Sequence, residues 1–163
     1  MEIVVAQLAD VPTLLSLYAR ARCFMAEHDN AYQWGHNGWP PSSLIESDVR
    51  RQRCYKVVED GQIIGVFYFD YGENPEPCYA TLDGWSTKPP YGVIHRIASA
   101  GEGKGILAKA VAFALNQCPN LRIDTYYKNT VMLDALRKLG FREVGEVILE
   151  HDTEPRIAFE KTK

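Results

Sequence analysis

The sequence predicts an α+β fold, one sheet domain spanning all 163 residues. Strand-like runs and amphipathic helical runs are interleaved along the chain, which argues for helices packed on a sheet. Asp60-Gly61 separates two apolar runs, a strong signal for an antiparallel hairpin. Two further strand runs, 141–150 and 156–161, close the chain around Asp152-Thr153-Glu154-Pro155.

The elements follow in order. Ile3-Val4-Val5-Ala6 reads as a first strand. Asp10 is placed to cap a helix, with Pro12 tolerated in its first turn. Leu14, Leu15, Leu17, Tyr18, Ala21 and Met25 give that helix an apolar face. Residues 28–43 are rich in Asn, Gly, Pro and aromatics and read as a loop long enough to be functional. Ser42 or Ser43 is placed to cap a short helix through Val49. Residues 54–59 and 63–69 are the hairpin strands. A second irregular stretch, 72–90, carries Trp85 and several prolines, and the next strand runs from Tyr91 to Ala98. The helix 104–117 has Leu107, Ala110, Val111, Ala114 and Leu115 on one face. A strand over 121–126 leads to Asn129 or Thr130 as the cap of a helix with Met132, Leu133, Leu136 and Leu139 inward, which Gly140 stops.

Composition narrows the function. Eighteen basic against 21 acidic residues give a formal charge of -3, which disfavours nonspecific nucleic-acid binding. The N-terminus lacks the basic start and apolar core of a signal peptide, and no apolar run is long enough to span a membrane. Cys23, Cys54, Cys78 and Cys118 form no C-x-x-C pair and read as reduced thiols, so the expected location is the cytoplasm. Cys54 and Cys118 sit in apolar patterns and are expected in the core. Glu27-His28-Asp29 with His36 matches no standard zinc spacing, so no metal is expected.

The most informative stretch runs from His95 to Lys109, where a strand ends in Gly101, Gly103 and Gly105 and a helix begins. Such a turn brings backbone N–H groups and the positive end of a helix dipole close to an anion. It is read either as a pyrophosphate cradle or as a tight turn needing no ligand. Two nucleotide motifs fail here. Gly105 follows Gly103-Lys104 where a phosphate loop needs Ser or Thr, and Ala98 stands at its first glycine. Ile106 breaks the dinucleotide fingerprint begun by Gly101-Glu102-Gly103.

The glycine–helix unit, the strand after it, Asn129 opening a helix, and Lys138-Leu139-Gly140-Phe141 at its end together resemble the GNAT family of N-acetyltransferases. The resemblance covers essentially the whole chain and is strongest from His95 to Gly145. It is closest to a bacterial branch of unassigned substrate, through 123–129, Gln33-Trp34, Trp85 and Ile94-His95-Arg96. Two positions depart from the family signature at the helix start: Glu102 replaces Arg or Gln, and Leu107 replaces a small residue.

The resemblance implies a mixed, mostly antiparallel sheet with helices on both faces and a splayed central pair, 91–98 and 121–127. It implies acetyl-CoA as co-substrate. Ile97, Ala98 and Ser99 would line the pantetheine, and Gly103, Lys104, Gly105, Ile106 and Leu107 the pyrophosphate. Asn129 would cap its helix and touch coenzyme A. The acceptor would be the amine of a small molecule or peptide, selected by Glu27, Tyr32, Trp34 and Trp85. A polar surface loop anchored by its tryptophans is the other reading of those residues. A homodimer is a further expectation.

For catalysis, Tyr91 occupies the position of the strand base in some relatives, but a phenol with a pKa of about 10 is a poor base at neutral pH. His95, two steps along the same strand face, titrates at about 6.5 when unperturbed and suits proton removal; the alternative is a histidine that orders the strand. Leu136 stands where many relatives carry the tyrosine that protonates the thiol; Tyr126, or its neighbour Tyr127, is the candidate to replace it, the other reading being that both pack against cofactor or substrate. Tyr91, Glu102 and Leu136 also admit an acyl-CoA-binding module without catalysis.

Overall fold

The computed structural model describes residues 1–101 and 105–163. Seven strands form one sheet of order β1-β2-β3-β4-β5-β7-β6. They are β1 (Glu2–Val5), β2 (Cys54–Glu59), β3 (Gln62–Gly72), β4 (Tyr91–Ser99), β5 (Asn120–Tyr126), β6 (Arg142–Val147) and β7 (Arg156–Thr162). The helices are α1 (Val11–Glu27), α2 (Tyr32–Gly35), α3 (Ser42–Arg50), α4 (Ile106–Leu115) and α5 (Thr130–Lys138). The α+β class and the mostly antiparallel sheet agree with the sequence reading. No helix among the described residues is long and apolar enough to cross a membrane. The chain divides into two compact units, residues 1–69 with 96–110 and residues 70–95 with 111–163.

In the first unit, β1 and β2 pair antiparallel with Val4 opposite Lys56, and β2 and β3 pair with Cys54 opposite Tyr68. Asp60 and Gly61 both take positive φ, 51° and 74°, the twist a two-residue hairpin needs. The core joins Leu14, Leu17 and Tyr18 of α1 to Trp34, Ile45, Val49, Cys54, Val66 and Ala98. Burying each large apolar side chain of that set stabilises by about 1.5–3 kcal/mol. A Cβ on Gly65 would stand 2.8 Å from Ile106 Cγ2, so the glycine lets α4 approach β3 closely.

In the second unit, β5 pairs antiparallel with β7, Asp124 opposite Ala158, and β6 pairs with β7. Tyr79, Tyr91, Ile94, Leu121, Ile123, Leu136 and Phe159 are fully buried. Asn129 caps α5 by accepting from Met132 N at 3.2 Å, and Gly140 ends it at φ 81°, both as read from the sequence. Cys54 and Cys118 are buried, also as expected.

Other local readings need correction. Asp10 holds the N-cap position of α1, as read, but its side chain makes no cap bond; its carboxylate accepts instead from Gln7 N and Lys56 Nζ, in a short 3-10 turn over Leu8–Asp10. Pro41, not Ser42 or Ser43, is the cap of α3. The stretch 28–43 contains α2, and the irregular stretch 72–90 contains a 3-10 turn over Pro77–Thr81. The strand read from Phe141 to Glu150 is only β6. Glu102, Gly103 and Lys104 lie outside the described residues, so the start read at Lys104 and the roles given to Gly103 and Lys104 do too.

Candidate active site

β4 and β5 run parallel and pair at Gly92↔Leu121 and Val93↔Arg122. Among the described residues their pairing stops there, although β4 continues to Ser99 and β5 to Tyr126. Where parallel neighbours stop exchanging hydrogen bonds, the backbone groups beyond that point need other partners. His95 is the second residue past the last pair.

The His95 side chain is nearly buried and stands between two carboxylates. Nε2 lies 3.2 Å from Glu76 Oε2, and Nδ1 lies 3.8 Å from Asp124 Oδ2. Glu76 comes from the irregular stretch, where its Oε1 also accepts from Cys78 N at the head of the 3-10 turn. Burial opposes ionisation of Glu76, but His95 and the Cys78 N–H outweigh it and hold the carboxyl below its ordinary 4.5. Asp124 has its own supports. Tyr79 Oη donates to Asp124 Oδ2 at 2.6 Å, and Arg156 Nη1 lies 3.7 Å from Oδ1. Burial first, then Asp124, push the Tyr79 hydroxyl well above 10, so it remains a donor. Arg156 is anchored in turn by Asp152 Oδ2 at 3.1 Å.

Aromatic packing frames this group. The Arg122 guanidinium lies 4.0 Å from the Trp85 ring centroid and 3.9 Å from that of Tyr91, and Nη2 donates to Thr87 O. Trp85 Nε1 donates to Tyr79 O, and Tyr91 Oη donates to Glu76 O at 3.1 Å. Burial raises Tyr91 above its ordinary 10. Each ring thus fixes a backbone group next to Glu76 or Tyr79. Tyr126, at the end of β5, is buried against Tyr127 at 4.6 Å between ring centroids.

In the first unit, β4 continues through Arg96, Ile97, Ala98 and Ser99. Arg96 takes φ 49°, a left-handed conformation rare for a long side chain inside a strand. Ser99 Oγ donates to Gly101 O and accepts from Gly101 N. Gly105 takes φ 63°, and its carbonyl accepts from Lys109 N at 3.0 Å, so it stands at the cap of α4. An added Cβ at Gly105 would meet nothing within 4 Å among the described residues. The N–H groups of Ile106 and Leu107 are therefore first-turn donors beside an open glycine backbone. That arrangement fits a phosphate group.

No protein-family model and no curated protein matches the chain. Solved structures match it along its whole length. A GNAT-family acetyltransferase from Streptococcus agalactiae is 27% identical, with a TM-score of 0.83 over 99% of this chain and 95% of that one. The chain is similar to the GNAT family of acetyltransferases over its whole length. Two more distant structures share the fold. One is a GNAT-family acetyltransferase from Listeria monocytogenes, 17% identical, TM-score 0.71, covering 99% and 94% of the two chains. The other is a ribosomal-protein-alanine N-acetyltransferase from Brucella melitensis, 17% identical, TM-score 0.65, covering 100% of both.

The remaining sequence-derived residues take varied positions. Glu27 is exposed at the end of α1. Tyr32 is half-buried and stacks on His36, 4.1 Å between centroids. Trp34 is only 4% exposed and packs edge-to-face on Tyr18 at 5.8 Å. Among the described residues no cluster of His, Cys, Asp and Glu is suited to a metal ion.

Sequence reasoning missed the partners of His95. Glu76 lies in a segment with no periodicity, where its one signal is the position before Pro77 at a turn start. Arg122 and Asp124 alternate with Leu121 and Ile123, the pattern of a solvated strand face, yet all four are buried. Tyr79 and Arg156 carry no motif.

Proposed function

We propose that this chain transfers an acetyl group from acetyl-CoA directly to the primary amine of a small molecule or peptide. The observation that carries the reading is that the β4–β5 pairing ends at Val93↔Arg122, with His95 two residues beyond it. The neutral His95 imidazole takes a proton from the acceptor ammonium, directly or through one water. The freed amine attacks the thioester carbonyl, and acetyl-CoA supplies the activated acyl group. A backbone N–H of β4 near His95 donates to the developing oxyanion. As the intermediate collapses the nitrogen sheds its second proton and the departing sulfur gains one, a transfer for which Tyr126 is the candidate named by the sequence.

Ile97, Ala98 and Ser99 follow His95 along β4 and offer backbone groups to the pantetheine arm. Gly105, Ile106 and Leu107, with Gly103 and Lys104 before them, hold the pyrophosphate. The positive φ of Gly105 and the first-turn donors of α4 support that assignment. Glu27, Tyr32, Trp34 and Trp85 select the acceptor.

The test is thiol release from acetyl-CoA measured against a panel of primary amines and amino-terminal peptides, with the acetylated product identified by mass. The expected result is amine-dependent release matched one for one by N-acetylated product. Coenzyme A binding without amine-dependent release across the panel would replace this reading with that of a non-catalytic acyl-CoA-binding module.

A further inference from the structure

We infer that Tyr18 is a positioning residue whose hydroxyl, by holding the Arg96 carbonyl, aims the Ile97 N–H at the thioester carbonyl of acetyl-CoA. The inference rests on the reading that a backbone N–H of β4 near His95 serves the oxyanion; it names that N–H and the side chain that aims it. Tyr18 lies on α1 and is fully buried. Its Oη donates to Arg96 O at 2.7 Å. Burial pushes the hydroxyl well above 10, so it remains a donor. Trp34 packs edge-on against the ring, 5.8 Å between centroids, and keeps it in place.

A trans peptide is planar, with its C=O and N–H opposed. Holding Arg96 O toward Tyr18 therefore points the next N–H, that of Ile97, away from α1. Strand alternation agrees. Ala100 N donates to Ile64 O of β3, so the N–H of Ala98 faces β3 and those of Ile97 and Ser99 face away from it. Arg96 is the left-handed residue of β4, at φ 49°. Asp48 Oδ2, at 2.8 Å from Nε, and the Tyr68 ring grip its guanidinium. Tyr18 grips its carbonyl, and so sets the plane of the peptide that carries the Ile97 N–H. A donor aimed in advance costs no reorganisation when an oxyanion forms.

Tyr18→Phe tests the inference. The phenyl ring keeps its packing on Trp34 and loses one oxygen, so the fold should survive, which a thermal melt checks. The first readout is isotope-edited infrared spectroscopy of acetyl-CoA labelled with carbon-13 at the thioester carbonyl. A hydrogen bond lowers a carbonyl stretch. The band should move to lower wavenumber on binding to wild type and return toward its free position in the variant. The second readout is kinetic: kcat should fall at least about tenfold, part of the loss that follows removing an oxyanion donor outright. Affinity for coenzyme A, which has no acyl carbonyl, should stay unchanged. An unshifted band in bound wild type, or equal bands in wild type and folded variant, would overturn the inference. Coenzyme A affinity falling as far as kcat would also overturn it, since the N–H would then serve the pantetheine. If wild type acetylates no amine, the activity reading fails, and the infrared comparison still decides whether Tyr18 aims the Ile97 N–H at the thioester.

Discussion

Arg96 Nε donates to Asp48 Oδ2 at 2.8 Å, and this pair holds a left-handed residue inside β4. Asp48, on α3, is almost wholly buried. Two further contacts fix the same residue: Tyr18 Oη donates to Arg96 O at 2.7 Å, and the guanidinium lies 4.3 Å from the Tyr68 ring centroid. A non-glycine residue at positive φ costs on the order of 1–3 kcal/mol and persists only when its surroundings over-determine it. Here an ion pair, a hydrogen bond and a ring do so. The bend they hold directly follows His95.

Asp48→Ala removes the buried half of that pair. Arg96 keeps some solvent access, so the expected loss is roughly 3 kcal/mol, the low end for breaking a buried ion pair. Urea unfolding measures it. A loss under about 0.5 kcal/mol, the size of an ordinary surface change, would mean that α3 does not hold the bend.

Gly105→Val tests the phosphate end. An added Cβ meets none of the described residues within 4 Å, so the fold should survive, with a backbone penalty of about 1–2 kcal/mol from φ 63°. The branched side chain would cover the first-turn donors of α4. Coenzyme A affinity by calorimetry should fall at least about tenfold, the worth of one charge-assisted hydrogen bond to backbone. Unchanged affinity in a folded variant would remove the glycine turn from the binding site.

How much of this was legible in the chain follows from local physics. The Asp60-Gly61 hairpin, the Asn129 cap and the Gly140 stop are decided within four residues, and sequence reads them directly. The His95 group is assembled from positions 76, 79, 95, 124 and 156, and no spacing records that meeting. The alternation of Arg122 and Asp124 even suggests water, because a sequence cannot show that Trp85, Tyr91, Tyr79 and Arg156 cover that face. Asp10 and Ser42 carry good capping chemistry, but Asp10 is drawn to Lys56 and Pro41 takes the cap of α3.

Trp34→Ala should act first on stability. The indole is 4% exposed and meets Tyr18 edge-on, so truncation should cost about 3–5 kcal/mol. Thermal melts check this, and acceptor KM is measured where the variant remains folded. A shifted KM there would show that Trp34 also shapes the acceptor pocket; an intact melting temperature would contradict its place in the core.

Acid should destabilise the protein through Glu160. Burial opposes its ionisation, yet hydrogen bonds from Arg142 and the Ser86 N–H hold the carboxyl below its ordinary 4.5. A carboxyl lowered by folding adds stability that is complete above the unfolded value and is lost as pH falls through the folded one. Stability should therefore decline as pH drops below about 4.5. Glu160→Gln should be less stable at neutral pH and decline less steeply in acid. A variant with the wild-type slope would show that Glu160 does not drive the acid transition.

The central claim is that His95 removes the acceptor's proton. The most direct measurement is the pH dependence of kcat/KM for amine acetylation by His95→Ala beside wild type, with coenzyme A affinity measured on both. The expected result is a fall of at least about a hundredfold, within the range of general-base catalysis. The acidic limb assigned to the imidazole should vanish, and coenzyme A affinity should stay unchanged. A variant that keeps the wild-type rate and the wild-type acidic limb would contradict the account and leave His95 as a residue that orders β4.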